Sequence, residues 1–452
     1  MNIETMTLTD FLAHPIDCNC GRVHTTDIRN VEISAGALEK LPTILKKQGY
    51  KNPFIIADYN THAIAGQRIS TLLNDKGILH TYHVLNETTL VPDERAIGNI
   101  LMHFQQDCDV IIGVGAGTIN DISRFISYRL HLPYFIAITA PSMDGYASTV
   151  APLITDNLKT TYEAHMPQVI IADLDVISQA PMEMIAAGFG DILGKFTCLA
   201  DWKLSAIING EYYCETIAKM MDLSLKRTIA LKDELASRNK EAMHELVEAL
   251  ILAGIAMSYA GNSRPASGSE HHLSHFWEMR MLFDGRPPVL HGAKVGIATV
   301  LVLKLYEYLR QESLTPEKIK FISSRNNDTA TWEQEIKRVF REASAGVLKL
   351  EQQAGKNDPQ KHNERLEAIA RNWQVLEAVF QSLPTSQEVV DLLLSVQGPV
   401  TPLDIDIDQA TLESTILYAK EIRNRYTVLQ LLWDLNLMER YARQISAEVF
   451  GV

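Results

Sequence analysis

The chain has 452 residues, of which 46% are hydrophobic and 21% charged, so it can bury a full core and is long enough for two domains. Its 42 Lys and Arg residues against 55 Asp and Glu residues give a net charge of −13. This acidic balance argues against nucleic acid or an anionic membrane as the main partner, because no basic field attracts phosphate groups.

The N-terminal segment lacks the basic start and the apolar stretch of a secretory signal. No run of residues approaches the roughly 18 apolar positions that a membrane span requires. The five cysteines are scattered and odd in number, which fits a reducing compartment better than a disulfide framework. We therefore expect a cytoplasmic protein with no membrane partner.

Strand-like apolar runs and helical segments alternate along the first 180 residues. Such alternation predicts a parallel sheet covered by helices on both faces. The predicted strands are PFIIADYN, HTYHVL, DVIIGVGAG, YFIAITAP and QVIIADLDVI. The predicted helices are GALEKLPTILKKQ, AIAGQRISTLLNDKG, DERAIGNILMHFQQ and TINDISRFISYRL.

Beyond residue 180 the sequence predicts helices and no convincing strand. The longest stretches are KEAMHELVEALILAGIAMSYAG and TLESTILYAKEIRNRYTVLQLLWDLNLMERYARQI. Thr315 is placed to cap a helix that begins with Pro316. We predict that the polar segment around residues 350–365 is a solvent-exposed helical segment with a loop at Gly355–Pro359. We expect an α/β nucleotide-binding domain over residues 1–180 and an all-α domain over 181–452, with a ligand cleft between them.

The segment DVIIGVGAGTINDISRF is predicted as a strand, a glycine turn and then a helix. Gly113, Gly115 and Gly117 allow close backbone approach, and the free N–H groups of the helix can face an anion. The geometry suits the pyrophosphate of a dinucleotide. The spacing differs from G-x-G-x-x-G because the third glycine comes one residue early, so a tight structural turn is an equal alternative.

Polar residues follow two other predicted strands at the same edge of the sheet. Asp58 closes the strand FIIAD, where a carboxylate can bind a ribose diol and repel a 2′-phosphate, or can simply cap the next helix. Thr139, Ser142, Asp144 and Ser148 lie in the segment ITAPSMDGYAS, at the end of the strand-like run YFIAITAP. They form either a polar loop or one wall of a cofactor pocket.

Histidines are crowded in the segment SGSEHHLSHFWEM. If this segment is helical, His271 and His275 share one face at i and i+4, while His272 is turned away by about 100°. His291 follows after a turn through DGRPP, so a returning helix can bring it back. The imidazoles either lie on the surface of a helix or converge on a ligand that needs neutral nitrogen donors.

Asp191 in AAGFGDILGK supplies a further donor, since it stands among glycines and apolar residues at an expected helix start. A buried carboxylate is costly without a partner, and a cation provides one. One carboxylate with His271 and His291 makes a catalytic-type site for zinc, iron or nickel. The alternative is a helix cap with core or surface histidines. The CNCGRVH segment offers three soft donors without a partner pair, and we do not predict a second metal site there.

Six segments in one order carry a family resemblance: GVGAGTINDISRF, TAPSMDGYAS, GFGDILGK, DWKLS, SGSEHHLSH and LHGAKVG. Together they resemble the bacterial branch of the sn-glycerol-1-phosphate dehydrogenases. The superfamily also contains glycerol dehydrogenase, iron-containing alcohol dehydrogenases and dehydroquinate synthase. The resemblance runs from about residue 26 to 300 and returns at RNRYTVLQLLWDL. It implies the same two-domain fold.

The resemblance also implies roles for individual residues. Asp191, His271 and His291 match the metal ligands, and His275 and Asp144 match substrate contacts, with Asp191 also near substrate. The catalytic set is then Asp191, His271, His275 and His291. The positions matching nicotinamide-cofactor contacts are Asp58, Gly117, Thr118, Ile119, Asn120, Asp121, Thr139, Ala140, Pro141, Ser142 and Ser148.

The implied reaction interconverts dihydroxyacetone phosphate and sn-glycerol 1-phosphate in a homodimer, with NAD or NADP and one divalent metal ion per subunit. Asp58 favours NAD over NADP. Arg264, Lys203 and Lys294 are candidates for the substrate phosphate, although an ordinary surface charge is the favoured interpretation of each. The alternatives are a glycerol or alcohol dehydrogenase acting on a substrate without phosphate, a dehydroquinate-synthase-like enzyme, and a binding protein on an inactive scaffold.

Overall fold

The computed structural model describes residues 6–13, 15–87, 90–155, 158–322 and 329–451. These residues divide into two compact units. The α/β unit contains the described residues up to Ile192 together with Lys219–Ser263 and Ser395–Gln397. The helical unit contains Leu193–Ala218, Arg264–Leu394 and the described residues from Gly398 onward. Each unit is therefore assembled from separate stretches of the chain.

All strands of the described residues belong to the α/β unit. They are β1 Ile16–Asp17, β2 Val23–His24, β3 Asn30–Ser34, β4 Pro53–Asp58, β5 Thr81–Leu85, β6 Val110–Gly115, β7 Tyr134–Ile138, β8 Val150–Thr155, β9 Leu158–Glu163 and β10 Val169–Asp173. Six of them form one sheet in the order β3-β10-β7-β6-β4-β5, and every pairing in it is parallel. The other four form two antiparallel hairpins, β1–β2 and β8–β9.

The central strands of the sheet explain why the sequence predicts a parallel fold. β6, β7 and β10 are buried along their whole length, and β4 is buried up to its last residue. Strands covered on both faces by helices require continuous Val, Ile and Phe runs, and these are the runs that the sequence analysis identified. The predicted α/β fold followed by a helical part is confirmed.

The helices of the described residues are more numerous in the second half of the chain. They are α1 Leu8–Ala13, α2 Leu41–Gln48, α3 Tyr59–Thr61, α4 Gln67–Asp75, α5 Glu94–His103, α6 Gly117–Leu130, α7 Leu174–Ile177, α8 Met182–Leu193, α9 Lys195–Asn209, α10 Glu215–Ala230, α11 Lys232–Ala236, α12 Lys240–Ala260, α13 Ser269–Phe283, α14 His291–Gln311, α15 Pro316–Lys320, α16 Thr329–Phe340, α17 Ser344–Ala354, α18 Pro359–Gln381, α19 Ser386–Ser395, α20 Gln409–Tyr418, α21 Val428–Asp434 and α22 Met438–Phe450. As predicted, Thr315 caps α15 by accepting a hydrogen bond from the Lys318 N–H.

Among the described residues, one helix, α12, is long and apolar enough to cross a bilayer when judged by length and composition alone. In the structure 78% of its most apolar window is buried inside the protein. A central helix of a folded domain has the same composition, because it is covered on all sides.

The C-terminal stretch from residue 411 to 445 is interrupted, although its periodicity predicts a long helical run. α20 ends at Tyr418, α21 covers only Val428–Asp434, and α22 begins at Met438. Asn436 adopts a left-handed φ of 58° between the last two helices. Such a conformation ends a helix, and asparagine tolerates it better than most residues.

The polar segment around residues 350–365 is only partly solvated, contrary to the prediction. The expected break occurs at Gly355, which has a left-handed φ of 55°. Beyond it His362 is fully buried, and the buried Arg365 guanidinium donates to both carboxylate oxygens of Asp434 at 2.7 and 2.9 Å. The segment is polar in sequence because its charged side chains pair inside the helical unit.

A second buried ion cluster gives the helical unit a pH-dependent stability. Glu421 is buried with the ammonium groups of Lys356, at 2.9 Å, and Lys420. Burial alone would raise the pKa of Glu421, but the two lysines lower it to about 2. The unfolded carboxyl titrates near 4.5, so this stabilisation is complete above pH 4.5 and is lost as the pH falls towards 2.

We therefore expect acidification to destabilise the wild type more than a Glu421→Gln variant. Between about pH 5 and about pH 3 the difference should be on the order of 2 kcal/mol in unfolding free energy. Urea unfolding followed by circular dichroism at several pH values measures it. Glu364→Gln, which changes an exposed glutamate, is the control; equal acid sensitivity of Glu421→Gln and the wild type would contradict the expectation.

Candidate active site

The carboxyl ends of β4, β6 and β7 meet at one edge of the sheet, where strand order reverses between β4 and β6. Ala57 is paired with Val114, and Gly115 with Ile138, so Asp58, the glycine turn and the segment after β7 lie side by side. In open parallel sheets this reversal forms a crevice in which ligands bind. The structure thus brings together the three segments that the sequence analysis placed at one edge.

Two glycines of the turn allow α6 to pack closely against β6. A Cβ atom on Gly113 would lie 2.7 Å from Ser123 Oγ, and one on Gly115 would lie 2.6 Å from the Ile119 Cβ. Gly117 is not confined in this way, since its nearest neighbour is Met143 at 3.4 Å. Ala116 precedes the helix and gives no side-chain cap. The first N–H groups of α6 therefore have no capping side chain and can face an anion.

Asp58 acts as a helix cap in the structure. Its Oδ1 accepts a hydrogen bond from the Thr61 N–H at 2.8 Å, and the Thr61 hydroxyl accepts one from the Asp58 N–H at 3.0 Å. This is a complete capping box. The structural alternative for Asp58 is thus realised, and the carboxylate remains partly exposed at the end of β4.

The first turns of α6 contain both open and buried members of the predicted cofactor set. Gly117, Thr118 and Asp121 are partly exposed, while Ile119 and Asn120 are buried. The Asn120 Nδ2 donates to the Gly145 carbonyl at 3.3 Å. Asn120 thus fastens α6 to the segment that contains Gly145.

Arg124 is a central residue of this edge that the sequence analysis missed. Its guanidinium is fully buried and donates to Asp121 Oδ1 at 2.9 Å, the Tyr134 hydroxyl at 2.9 Å and the Val150 carbonyl at 2.8 Å. It also donates to the carbonyls of Gly145 and Tyr146. An arginine on the apolar face of a predicted helix was the available signal, because such a residue needs buried acceptors.

The segment from Thr139 to Ser148 is buried and held on two sides. A Cβ atom on Gly188 of α8 would lie 1.8 Å from the Pro141 carbonyl oxygen, and one on Gly254 of α12 would lie 2.5 Å from the Ala147 Cβ. The cofactor candidates of this segment are all buried: Thr139, Ala140, Pro141, Ser142 and Ser148. The segment is therefore packed closely against α8 and α12.

Asp191 lies in the last turn of α8, not at a helix start as predicted. Its side chain is fully buried, and Oδ2 accepts a hydrogen bond from the Asp144 N–H at 2.9 Å. The prediction is wrong because Gly188 does not mark a helix boundary but allows close packing inside the helix. The two acidic residues assigned to substrate are thus adjacent.

Within the helical unit, the three histidines assigned to the site converge. The ring centroids of His271 and His291 are 5.2 Å apart, those of His275 and His291 5.6 Å, and those of His271 and His275 6.0 Å. His291 is the first residue of α14, which returns after the predicted turn. His272 is buried elsewhere, where burial and then nearby arginines and lysines hold its pKa well below its ordinary value.

His271 is oriented by a buried carboxylate that the sequence analysis did not single out. Its Nδ1 lies 2.8 Å from Glu270 Oε1. Burial would raise the pKa of Glu270, but His271, the Thr197 hydroxyl at 2.7 Å and the Gly268 N–H at 2.6 Å lower it overall. Glu270 thus accepts a hydrogen bond from Nδ1 of His271, and a carboxylate on one ring nitrogen is typical of metal-binding histidines.

A second buried carboxylate, Asp201 in the DWKLS segment, fixes the start of α13. It accepts hydrogen bonds from the Ser269 N–H at 2.7 Å, the Tyr306 hydroxyl at 2.7 Å and the Val428 N–H at 2.7 Å. Burial and the charge of Glu270 raise its pKa to about 6. Residues far apart in sequence therefore position the helix that carries His271 and His275.

His275 belongs to a smaller polar group on the same helix. Its Nδ1 lies 3.3 Å from Glu278 Oε2, and Glu278 Oε1 lies 3.7 Å from the buried Lys294 ammonium. Donor atoms of His275, Glu278 and His291 all lie within 4.8 Å of one another. Glu278 is a further polar residue that the sequence analysis missed, although it lies one turn beyond His275.

The three candidates for the substrate phosphate all have protein partners. Buried Arg264 donates to Glu211 at 2.5 and 2.8 Å, partly exposed Lys203 pairs with Glu215 at 3.0 Å, and Lys294 donates to the Val289 carbonyl at 2.8 Å. These contacts agree with the structural alternative that was weighed for each of them.

Comparisons with known proteins give one consistent result. The sequence profile described as iron-containing alcohol dehydrogenase matches residues 32–181. A glycerol-1-phosphate dehydrogenase (NAD(P)+) of Halalkalibacterium halodurans is 35% identical over 420 residues, covering 92% of this chain and 95% of the relative. That of Bacillus licheniformis is 33% identical over 427 residues, covering 93% of each.

A solved structure supports the fold independently of close sequence similarity. The glycerol dehydrogenase of Schizosaccharomyces pombe superposes with a TM-score of 0.58 over 95% of this chain and 93% of its own. The two sequences are only 18% identical, so this likeness bears on the fold alone.

Proposed function

The chain belongs to the glycerol-1-phosphate dehydrogenase family, and on that premise we propose that it interconverts dihydroxyacetone phosphate and sn-glycerol 1-phosphate in a reducing, cytoplasmic compartment. It is an oxidoreductase linked to NAD(P), and its substrate is a glycerol phosphate. The observation that carries the chemical part of the proposal is the carboxylate-oriented imidazole of His271 beside His291.

Asp191, His271 and His291 are our proposed ligands of one divalent metal ion. The donor chemistry fits: His271 has its Nδ1 bonded to Glu270, so Nε2 can coordinate, and a donor atom of His291 lies within 4.8 Å of a donor atom of His271. Two imidazoles and one carboxylate suit zinc, iron or nickel. A metal ion is expected for this family, and the donor set does not select one of the three metals.

A metal ion bound there would polarise the C2 oxygen of the substrate as a Lewis acid. His275 lies one helical turn from His271, and its Nδ1 contacts Glu278. We propose that its Nε2 orients the substrate or transfers a proton to the C2 oxygen. Asp144, held against Asp191 by its backbone N–H, is our proposed contact to a substrate hydroxyl.

The cofactor is proposed to bind at the strand reversal of the sheet. The uncapped start of α6 offers N–H groups to the pyrophosphate, and the Thr139–Ser142 and Ser148 positions offer a closely packed wall for the nicotinamide end. The Asp58 carboxylate, partly exposed at the end of β4, favours a ribose diol and disfavours a 2′-phosphate. We therefore propose a preference for NAD and, by likeness to the family, assembly as a homodimer.

The proposal is tested by NADH oxidation with dihydroxyacetone phosphate, after chelation and re-addition of zinc, iron or nickel singly. We expect no turnover after chelation and recovery with at least one metal. Dihydroxyacetone without phosphate is the matched substrate, and kcat/KM should be much lower with it. Equal rates with both substrates would favour the alternative of a glycerol dehydrogenase, and no NADH oxidation under any condition would favour an inactive binding scaffold.

A further inference from the structure

A small hairpin near the N-terminus has no role in the proposed reaction. β1 and β2 are antiparallel, with Ile16 opposite His24, and the turn between them carries Cys18 and Cys20. The Gly21 N–H donates to the Cys18 carbonyl at 3.0 Å. Gly21 has a left-handed φ of 82°, which glycine adopts without strain. A tight turn thus holds two thiols next to an imidazole on the returning strand.

Three soft donors of this hairpin lie close together. One donor atom from each of Cys18, Cys20 and His24 lies within 4.8 Å of the other two, and Cys20 Sγ is 3.4 Å from His24 Nε2. Zinc binds thiolate sulfur at about 2.3 Å and imidazole nitrogen at about 2.0–2.1 Å, so ligands of one ion lie roughly 3.5–4 Å apart. The donor spacing is therefore compatible with one shared ion.

The imidazole of His24 is oriented for coordination through Nε2. Its Nδ1 lies 3.2 Å from the carbonyl oxygen of Tyr259, which can only accept, so Nδ1 carries the proton. The ring is 1% exposed and stacks on the Tyr259 ring with centroids 5.2 Å apart. A backbone carbonyl that fixes the far nitrogen is the usual support of a metal-bound histidine.

We propose that Cys18, Cys20 and His24 bind one zinc ion with a structural role. Two thiolates and a neutral imidazole are soft donors that favour zinc over magnesium or calcium, and a fourth ligand, water or another protein donor, completes the tetrahedron. Arg22 of the same turn donates to the Ala260 carbonyl at 3.2 Å. Because Arg22 and His24 both contact the last residues of α12, an ion bound to His24 would hold the hairpin against that helix. The proposal reverses the expectation from sequence that no second metal site exists here.

Metal content of the purified full-length protein tests the proposal. We expect Cys20→Ser and His24→Ala to lose one zinc equivalent per chain relative to the wild type. Cys108→Ser, which changes a buried thiol outside the hairpin, is the control and should lose none. His271→Ala should keep the hairpin zinc, which separates this site from the proposed active-site metal. Unchanged zinc in both hairpin variants would overturn the proposal.

A measurement on the wild-type chain tests the proposal even if the variants fail to fold. Protein loaded with Co²⁺ should show the strong near-ultraviolet absorption of thiolate-to-cobalt charge transfer. The proposed ligands Asp191, His271 and His291 contain no sulfur and give no such band. Absence of the band from cobalt-loaded protein, or a Cys18–Cys20 disulfide in protein purified with reductant, would also overturn the proposal.

Discussion

His271→Ala is expected to abolish turnover and to remove the active-site metal while the fold remains intact. The variant loses one of two proposed imidazole ligands, and a bound metal is worth several kcal/mol of transition-state stabilisation. We expect kcat/KM to fall by at least roughly 10³-fold, which corresponds to about 4 kcal/mol. Metal analysis, NADH oxidation with dihydroxyacetone phosphate and circular dichroism check the three parts of this prediction.

Two further variants test whether the effect of His271→Ala comes from the metal site. Glu270→Gln keeps the His271 imidazole but removes the charged partner of its Nδ1. We expect metal affinity to fall by roughly 10–100-fold, with activity restored by excess metal. His244→Ala changes a partly buried histidine of α12 and should leave both properties unchanged. Normal activity in His271→Ala would remove the metal assignment.

Arg124→Ala should strongly destabilise the α/β unit. The buried guanidinium donates to Asp121, to Tyr134 and to the carbonyls of residues 145, 146 and 150, and its removal takes one donor away from each of these acceptors. Breaking a buried charged network of this kind typically costs about 3–5 kcal/mol. Urea unfolding measures the loss, and a raised KM for NADH is expected because the segment after β7 is no longer anchored to α6.

The control for Arg124 lies on the same helix. Arg129 is exposed and stacks on the Phe125 ring at 5.0 Å, so Arg129→Ala should cost only about 0.5–1 kcal/mol. Arg124→Lys keeps the charge but cannot reach all five acceptors, and an intermediate loss is expected. An Arg124→Ala variant as stable as Arg129→Ala would show that the buried contacts contribute little.

The parts of the fold that could be predicted are those with one dominant pattern. β4, β6, β7 and β10 are short apolar runs because helices cover both faces of the sheet. β3 has only half-buried residues, and β8 contains a proline, so neither shows a clear period and neither was identified as a strand. The sequence patterns therefore identified the four central strands and one edge strand, β5, but missed the other edge strand, β3.

The same distinction holds within the site. That His271 and His275 share a helix face follows from the helical period alone. The buried Glu270 and Asp201 could not be given roles from sequence, because their partners depend on tertiary folding: Asp201 meets Ser269, 68 residues later, and Val428, 227 residues later. The sequence left two equal alternatives for Asp58, a helix cap and a carboxylate that binds a ribose. The residue types around Asp58 are compatible with both.

The discontinuous α/β unit has a consequence for how the protein is made. Its sheet is complete by Asp173, yet α12, whose Gly254 packs on Ala147, belongs to the same unit and ends only at Ala260. A ribosome adding roughly 5–20 residues per second reaches the end of that helix several seconds after it passes Ile192. During this delay the apolar segment around Ala147 lacks the helix that covers it, so we expect chaperones to bind the nascent chain.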